Sequence, residues 1–203
     1  MAASGGQKLS STLANPSASV LDVACGTGDL ALTLAAAGPA RVTGIDFCRP
    51  MLEIAAQKNQ ARAFRVPFIE GDALRLPFAD ASFDAVTIAF GLRNLADVNQ
   101  GLRELARVLK PGGQAAILEF SKPIVPGFSA LFGFYFDRLL PSIGGIISGS
   151  PQAYQYLPAS VKRFPDQQTL AEMMRRAGFH QVEYQNLTGG VWSIHFGRMK
   201  AEG

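Results

Sequence analysis

The chain has little that could tie it together covalently or through a metal. Its 203 residues include two cysteines, Cys25 and Cys48, and two histidines, with no CxxC spacing and no Cys/His cluster. That gives no support to a disulfide framework or a structural metal, and it suits a reducing cytosol. Charge is sparse as well, at 17% of residues, with a formal net charge of +3. Lys110, Arg138, Lys162, Arg163, Arg175, Arg176, Arg198 and Lys200 are scattered and form no basic arm, so no nucleic-acid partner is expected. No apolar run is suited to spanning a bilayer: Ile124 to Ile147 carries Asp137-Arg138 and Pro141 in its middle. Met1 to Ser19 lacks the basic-then-apolar layout of a signal peptide. It is rich in Ala, Ser and Gly and reads as a flexible lead-in to one domain over residues 20–203.

What is present is strand and helix in alternation. Ser19 to Ala24 is apolar on both faces, as a central parallel strand should be. Gly26-Thr27-Gly28 follows, and Asp29 to Ala37 reads as a helix ended by Gly38-Pro39. Strands are expected at Arg41 to Ile45, Val66 to Glu70, Phe83 to Phe90 and Ala115 to Phe120. Helices are expected at Pro50 to Ala61 and from Asp97, where Val98, Leu102, Leu105 and Leu109 recur at helical spacing. Asp97 with Gln100 resembles a capping box. Residues 123–160 change character: apolar, aromatic and Gly-rich, they read as a helical cap over the carboxyl edge of the sheet. Asp166 to Ala177 is a further helix, and Gln181 to Leu187 and Val191 to Arg198 are antiparallel strands around Gly189-Gly190. The order implies an α/β fold with a doubly wound, Rossmann-like sheet.

The glycine turn after the first strand is where such a sheet binds a nucleotide-like ligand. Two readings compete. Gly26-Thr27-Gly28 with Ala31 fits a relaxed G-x-G-x-x-A fingerprint, and Asp46 follows about twenty residues on, where a ribose-binding acid belongs in a dinucleotide site. Three features favour S-adenosylmethionine instead. Asp22 lies in the strand before the glycines, where a carboxylate could bind a cationic amino acid end and would repel a pyrophosphate. Asp72 ends the third strand, beside Ala73 and Leu76-Pro77-Phe78, where it could accept from adenine's amine between apolar neighbours. The closing hairpin matches a seven-stranded methyltransferase sheet with its last strand antiparallel.

The segments Phe90-Gly91-Leu92-Arg93-Asn94, Leu109-Lys110-Pro111-Gly112-Gly113 and Leu118-Glu119-Phe120-Ser121-Lys122-Pro123, with the later Thr188-Gly189-Gly190, resemble the UbiE/COQ5/MenG family. These are C-methyltransferases of ubiquinone and menaquinone biosynthesis. The resemblance implies a class I methyltransferase fold, S-adenosylmethionine as donor and a prenylated quinol as acceptor, with the naphthoquinol favoured over the benzoquinol. It also implies donor contacts at Thr27, Asp46, Asp72 and Ala73, to which the turn adds Gly26 and Gly28 and the strand adds Asp22. Family members carry a longer helical lid segment ahead of the first strand, a pattern that Met1 to Ser19 lacks.

For the chemistry, Arg93 and Asn94 follow the fourth strand, at the active edge. Arginine is a poor base, so Arg93 is expected to stabilise a phenolate or to order a water or carboxylate, with Asn94 orienting the substrate. His195 is a weaker candidate with a useful pKa, set in an apolar strand. Tyr154 and Tyr156 could touch a quinol oxygen or simply pack. The apolar cap could hold the isoprenoid tail or rest on a membrane surface. Other readings are methylation of a different small phenol, or a non-catalytic partner that binds donor or quinol within a biosynthetic complex.

Overall fold

A computed structural model describes residues 5–38, 40–62, 65–124, 160–161 and 163–201. The expected cap, with Tyr154 and Tyr156, lies almost wholly outside the described residues. Seven strands form one sheet: β1 (Ser19–Val23), β2 (Arg41–Asp46), β3 (Phe68–Glu70), β4 (Phe83–Ala89), β5 (Leu109–Phe120), β6 (His180–Leu187) and β7 (Trp192–Arg198). Their order across the sheet is β3-β2-β1-β4-β5-β7-β6. The pairings from β3 through to β5 are parallel, and β7 runs antiparallel between β5 and β6. The α/β class and the inserted antiparallel last strand are as read from the sequence. The order reverses between β1 and β4, which is the switch point where ligands bind in such sheets.

Helices α1 (Gly5–Leu13), α2 (Asp29–Ala37), α3 (Arg49–Gln60), α4 (Val98–Val108) and α5 (Gln167–Arg176) pack on the two faces. Alternation along β1 divides the core: Leu21 and Val23 join one cluster with Val86, Ile88, Leu102, Leu105 and Ile117, while Val20 joins the other with Leu32, Leu34, Val42 and Ala85.

The first helix corrects the expectation of a flexible lead-in. Nine residues are too few for a helix to persist alone, so α1 depends on tertiary packing. Leu9 and Leu13, one turn apart, pack on the second cluster. The Leu13 carbonyl accepts from the Ala40 N–H at 3.2 Å, and it lies so close to Gly38 that a Cβ there would sit 2.2 Å from it.

Two details of α4 also differ. Asp97 does cap it, accepting from the Gln100 N–H at 3.0 Å, but the Gln100 side chain donates to the Leu74 carbonyl rather than returning to Asp97. Leu109 is not on the helical stripe; it opens β5 and pairs with Phe83.

Candidate active site

A cleft of about 500 Å³ opens at the carboxyl ends of β1, β2 and β4, within the range of small-molecule sites. Two loops form its floor. After β1 the chain passes Ala24 at φ 52°, Gly26 at φ 54° and Gly28 at φ 80°. After β4 it passes Phe90 at φ 56°. Left-handed backbone at two non-glycine residues costs energy, and such strain gathers at functional sites. The loops touch: a Cβ on Gly91 would lie 2.4 Å from that of Ala24, so only glycine lets them meet.

Asp46 organises the floor. Its Oδ2 accepts from the Gly26 N–H and its Oδ1 from the Cys48 N–H, both at 2.8 Å. Each oxygen keeps a lone pair for a further donor. Asp72 stands on the opposite wall, exposed, with Oδ1 accepting from the Leu74 N–H in a local turn. The loop that carries it is held from behind. Glu104 accepts from the Leu76 N–H, and Arg107 donates to the Leu76 and Phe78 carbonyls while pairing with Glu104 and Asp80. Phe47, Met51 and Ala73 supply apolar walls; Asn94 and Leu95 close the far rim.

Of the residues singled out from sequence, Gly26, Asp46, Asp72, Ala73 and Asn94 line this cleft. Asp22, Thr27, Gly28, Arg93 and His195 do not.

Asp22 is 1% exposed, on the face of β1 toward α2. It sits in register with Thr87 of β4, whose hydroxyl donates to Oδ1 at 2.8 Å, and Oδ2 has no partner among the described residues. Burial pushes this carboxyl up to about 7. Thr27 points outward, donating to Asp29 and accepting from Lys58, which pins the glycine turn to α3. Gly28 is where the Phe68 ring and Ala55 pack too close for any Cβ. Burial pushes the Cys25 thiol well up, which disfavours the thiolate form.

Arg93 lies one layer behind the cleft. Only 10% of its side chain is exposed; Nη1 meets Glu119 Oε1 at 2.7 Å and also donates to the Phe90 carbonyl. The Arg93 N–H donates to the other Glu119 oxygen at 3.2 Å. This is a loop clamp rather than a guanidinium lining the cleft, which corrects the placement expected for it. Its partner Glu119 received no role from sequence. A carboxylate inside Ala115 to Phe120, an otherwise apolar strand, was the available signal, because such a group needs a partner. Burial raises the Glu119 pKa, opposed by Arg93.

His195 is fully buried on β7, paired in register with Ile117. Its Nε2 lies 2.8 Å from the Gln167 carbonyl and its ring stacks on Tyr184. Burial lowers its pKa, and because its partner is a carbonyl, Nε2 is the donor. It is a core histidine that does not line the cleft. Among the described residues no group of three His, Cys, Asp or Glu could hold a metal ion.

The model of the ubiE/COQ5 methyltransferase family matches residues 7–199, a span that takes in all but the first two residues of α1. A demethylmenaquinone methyltransferase of Thermus thermophilus is 54% identical over 88% of this chain and 81% of its own length. One from Deinococcus radiodurans is 50% identical over 91% and 77%. Among solved structures, the YcgJ protein of Bacillus subtilis covers 98% of each chain with a TM-score of 0.69 at 21% identity, which speaks to fold alone. At this level of sequence likeness over nearly its whole length, the chain belongs to the ubiE/COQ5 methyltransferase family.

Proposed function

We propose that the chain transfers a methyl group from S-adenosylmethionine to a ring carbon of demethylmenaquinol, a prenylated naphthoquinol. Family membership makes it an S-adenosylmethionine-dependent C-methyltransferase of quinone biosynthesis. One observation carries the donor half. The charged groups lining the cleft are Asp46 and Asp72, and no lysine or arginine lines it among the described residues. Carboxylates without a cation suit a sulfonium and an ammonium and oppose a pyrophosphate, which removes the dinucleotide reading. The acceptor half rests on the names of the Thermus and Deinococcus relatives.

The donor brings an already activated methyl group, so the protein's share is alignment, which can supply about 7–11 kcal/mol. Asp46 offers its spare lone pairs to ribose hydroxyls while holding the Gly26 turn in shape. Asp72 accepts from the adenine amine, with Ala73 and Met51 as apolar sides. Asn94 presents its amide to the acceptor at the far rim. Arg93 works through the loop: by holding the Phe90 carbonyl and Glu119 it sets where Asn94 stands, and we assign it as a positioning residue. The acceptor's tail partitions into bilayers, so we place the reaction at the cytosolic membrane surface. The apolar stretch over residues 123–160 is the contact there, each buried methylene contributing about 0.8 kcal/mol. No helix among the described residues is long and apolar enough to cross a membrane.

The test mixes purified chain with methyl-labelled S-adenosylmethionine and reduced, short-tailed demethylmenaquinol. Label on the quinol supports the reading. Donor binding without transfer to any acceptor favours a non-catalytic partner, and no donor binding removes the donor assignment.

A further inference from the structure

Beside the donor cleft stands a cluster of three aromatic side chains. Phe90 follows β4, Phe120 ends β5 and Trp192 opens β7. All three therefore gather at the carboxyl edge of the sheet, Phe120 and Trp192 in direct register. Ring centroids are 5.1 Å apart for Phe90–Phe120, 6.0 Å for Phe90–Trp192 and 6.3 Å for Phe120–Trp192. The two contacts with Trp192 are edge-to-face, the favoured arrangement for aromatic quadrupoles.

Three observations set this group apart from ordinary core. Trp192 is 37% exposed, at the start of β7 between Phe120 of the buried strand β5 and Leu187 of the largely exposed edge strand β6. Phe90 is held in left-handed backbone, its N–H donating to the Leu118 carbonyl and its own carbonyl accepting from Arg93 and Asn94. Phe90 also lines the donor cleft, so the aromatic surface begins where that cleft ends. The Arg93 guanidinium carbon lies 5.1 Å from the Phe120 ring centre, which fixes that ring from behind.

We propose that Phe90 and Trp192, backed by Phe120, form the wall against which the acceptor's aromatic ring lies, and that Trp192 is a specificity-determining residue for a flat, two-ring quinol. This rests on the quinol reading of the preceding subsection. A planar aromatic acceptor needs apolar, π-bearing walls and has no charge for the acidic donor cleft to hold. The wall lies next to that cleft, so a ring seated there faces the donor's methyl.

Trp192 is the protein's one tryptophan, so its emission reports the wall directly. The probe is an oxidised naphthoquinone bearing one isoprene unit, titrated against the full chain with S-adenosylhomocysteine present. Saturable quenching is expected, beyond the linear collisional quenching of free N-acetyltryptophanamide. In turnover assays Trp192→Ala should raise KM for the short-tailed quinol about tenfold, with kcat and donor affinity little changed. Trp192→Phe, which keeps a ring, should recover most of that loss. Linear quenching only, or an unchanged KM in Trp192→Ala, overturns the proposal. Methyl transfer without saturable quenching strikes the wall and leaves the reaction standing. Saturable quenching without transfer strikes the reaction and leaves the wall as a ring-binding surface. Neither quenching nor transfer removes both.

Discussion

Replacing Asp22 by asparagine should make the protein more stable above neutral pH. The carboxyl is buried, bonded to the Thr87 hydroxyl, and its pKa is pushed up to about 7 from an ordinary 3.8, chiefly by desolvation. Between those values the folded chain keeps a proton that the unfolded chain has released. Stability from this group is therefore full at low pH and falls as pH rises through the window. At pH 8 both states are ionised, and the folded state bears the whole penalty, about 4 kcal/mol at 1.36 kcal/mol per pH unit. Asparagine imitates the protonated acid: one oxygen still accepts from Thr87, and an N–H replaces the O–H. Urea unfolding at pH 4.5, 6, 7 and 8 should show the variant's lead growing from about 1 kcal/mol at pH 4.5 to about 4 kcal/mol at pH 8. The difference between the two proteins is the quantity to read. Asp29, Asp84, Glu104 and Asp166 have lowered pKa values and pull the other way, gaining stability as pH rises, but they contribute equally to both. A difference that stays flat with pH would refute the argument. Donor affinity should change less than about twofold, because Asp22 does not line the cleft.

Asp46→Ala should weaken S-adenosylhomocysteine binding in calorimetry by at least about tenfold. It strands the Gly26 and Cys48 N–H groups, at about 1–3 kcal/mol each, and removes the proposed ribose contact. Unchanged affinity would place the donor elsewhere. Arg93→Ala should lower turnover with donor affinity intact, and should cost about 3–5 kcal/mol in denaturant by leaving Glu119 buried and unpaired. Adding Glu119→Gln should restore much of that stability but not the turnover. Wild-type turnover in Arg93→Ala would show that the loop does not depend on the clamp.

How legible the molecule was from sequence follows from the range of its interactions. Local signals were sufficient for β1, its glycine turn and α2, because period and turn chemistry act within a dozen residues. The antiparallel closing hairpin and the acids at the ends of β2 and β3 were equally plain. Pairs formed by the fold were not. Asp22 meets Thr87 because parallel pairing brings β1 and β4 level, and Arg93 meets Glu119 because the turn after β4 lies beside the end of β5. The direction of a long side chain is a tertiary outcome too. Arg93 stands at the active edge as expected, yet turns away from the cleft toward Glu119. Helix α1 escaped because two leucines among Gly, Ser, Gln and Thr give a stripe too short to read, and its stability comes from the surface it packs on.

The central claim is that the acidic cleft and its aromatic border join a sulfonium donor to a naphthoquinol carbon. The most direct measurement supplies carbon-13-methyl S-adenosylmethionine with short-tailed demethylmenaquinol and its benzoquinol counterpart together, both kept reduced, and follows the product by NMR. The account predicts a new methyl bonded to ring carbon, on the naphthoquinol in preference to the benzoquinol. Label on a quinol oxygen, or donor left intact while bound, would contradict it.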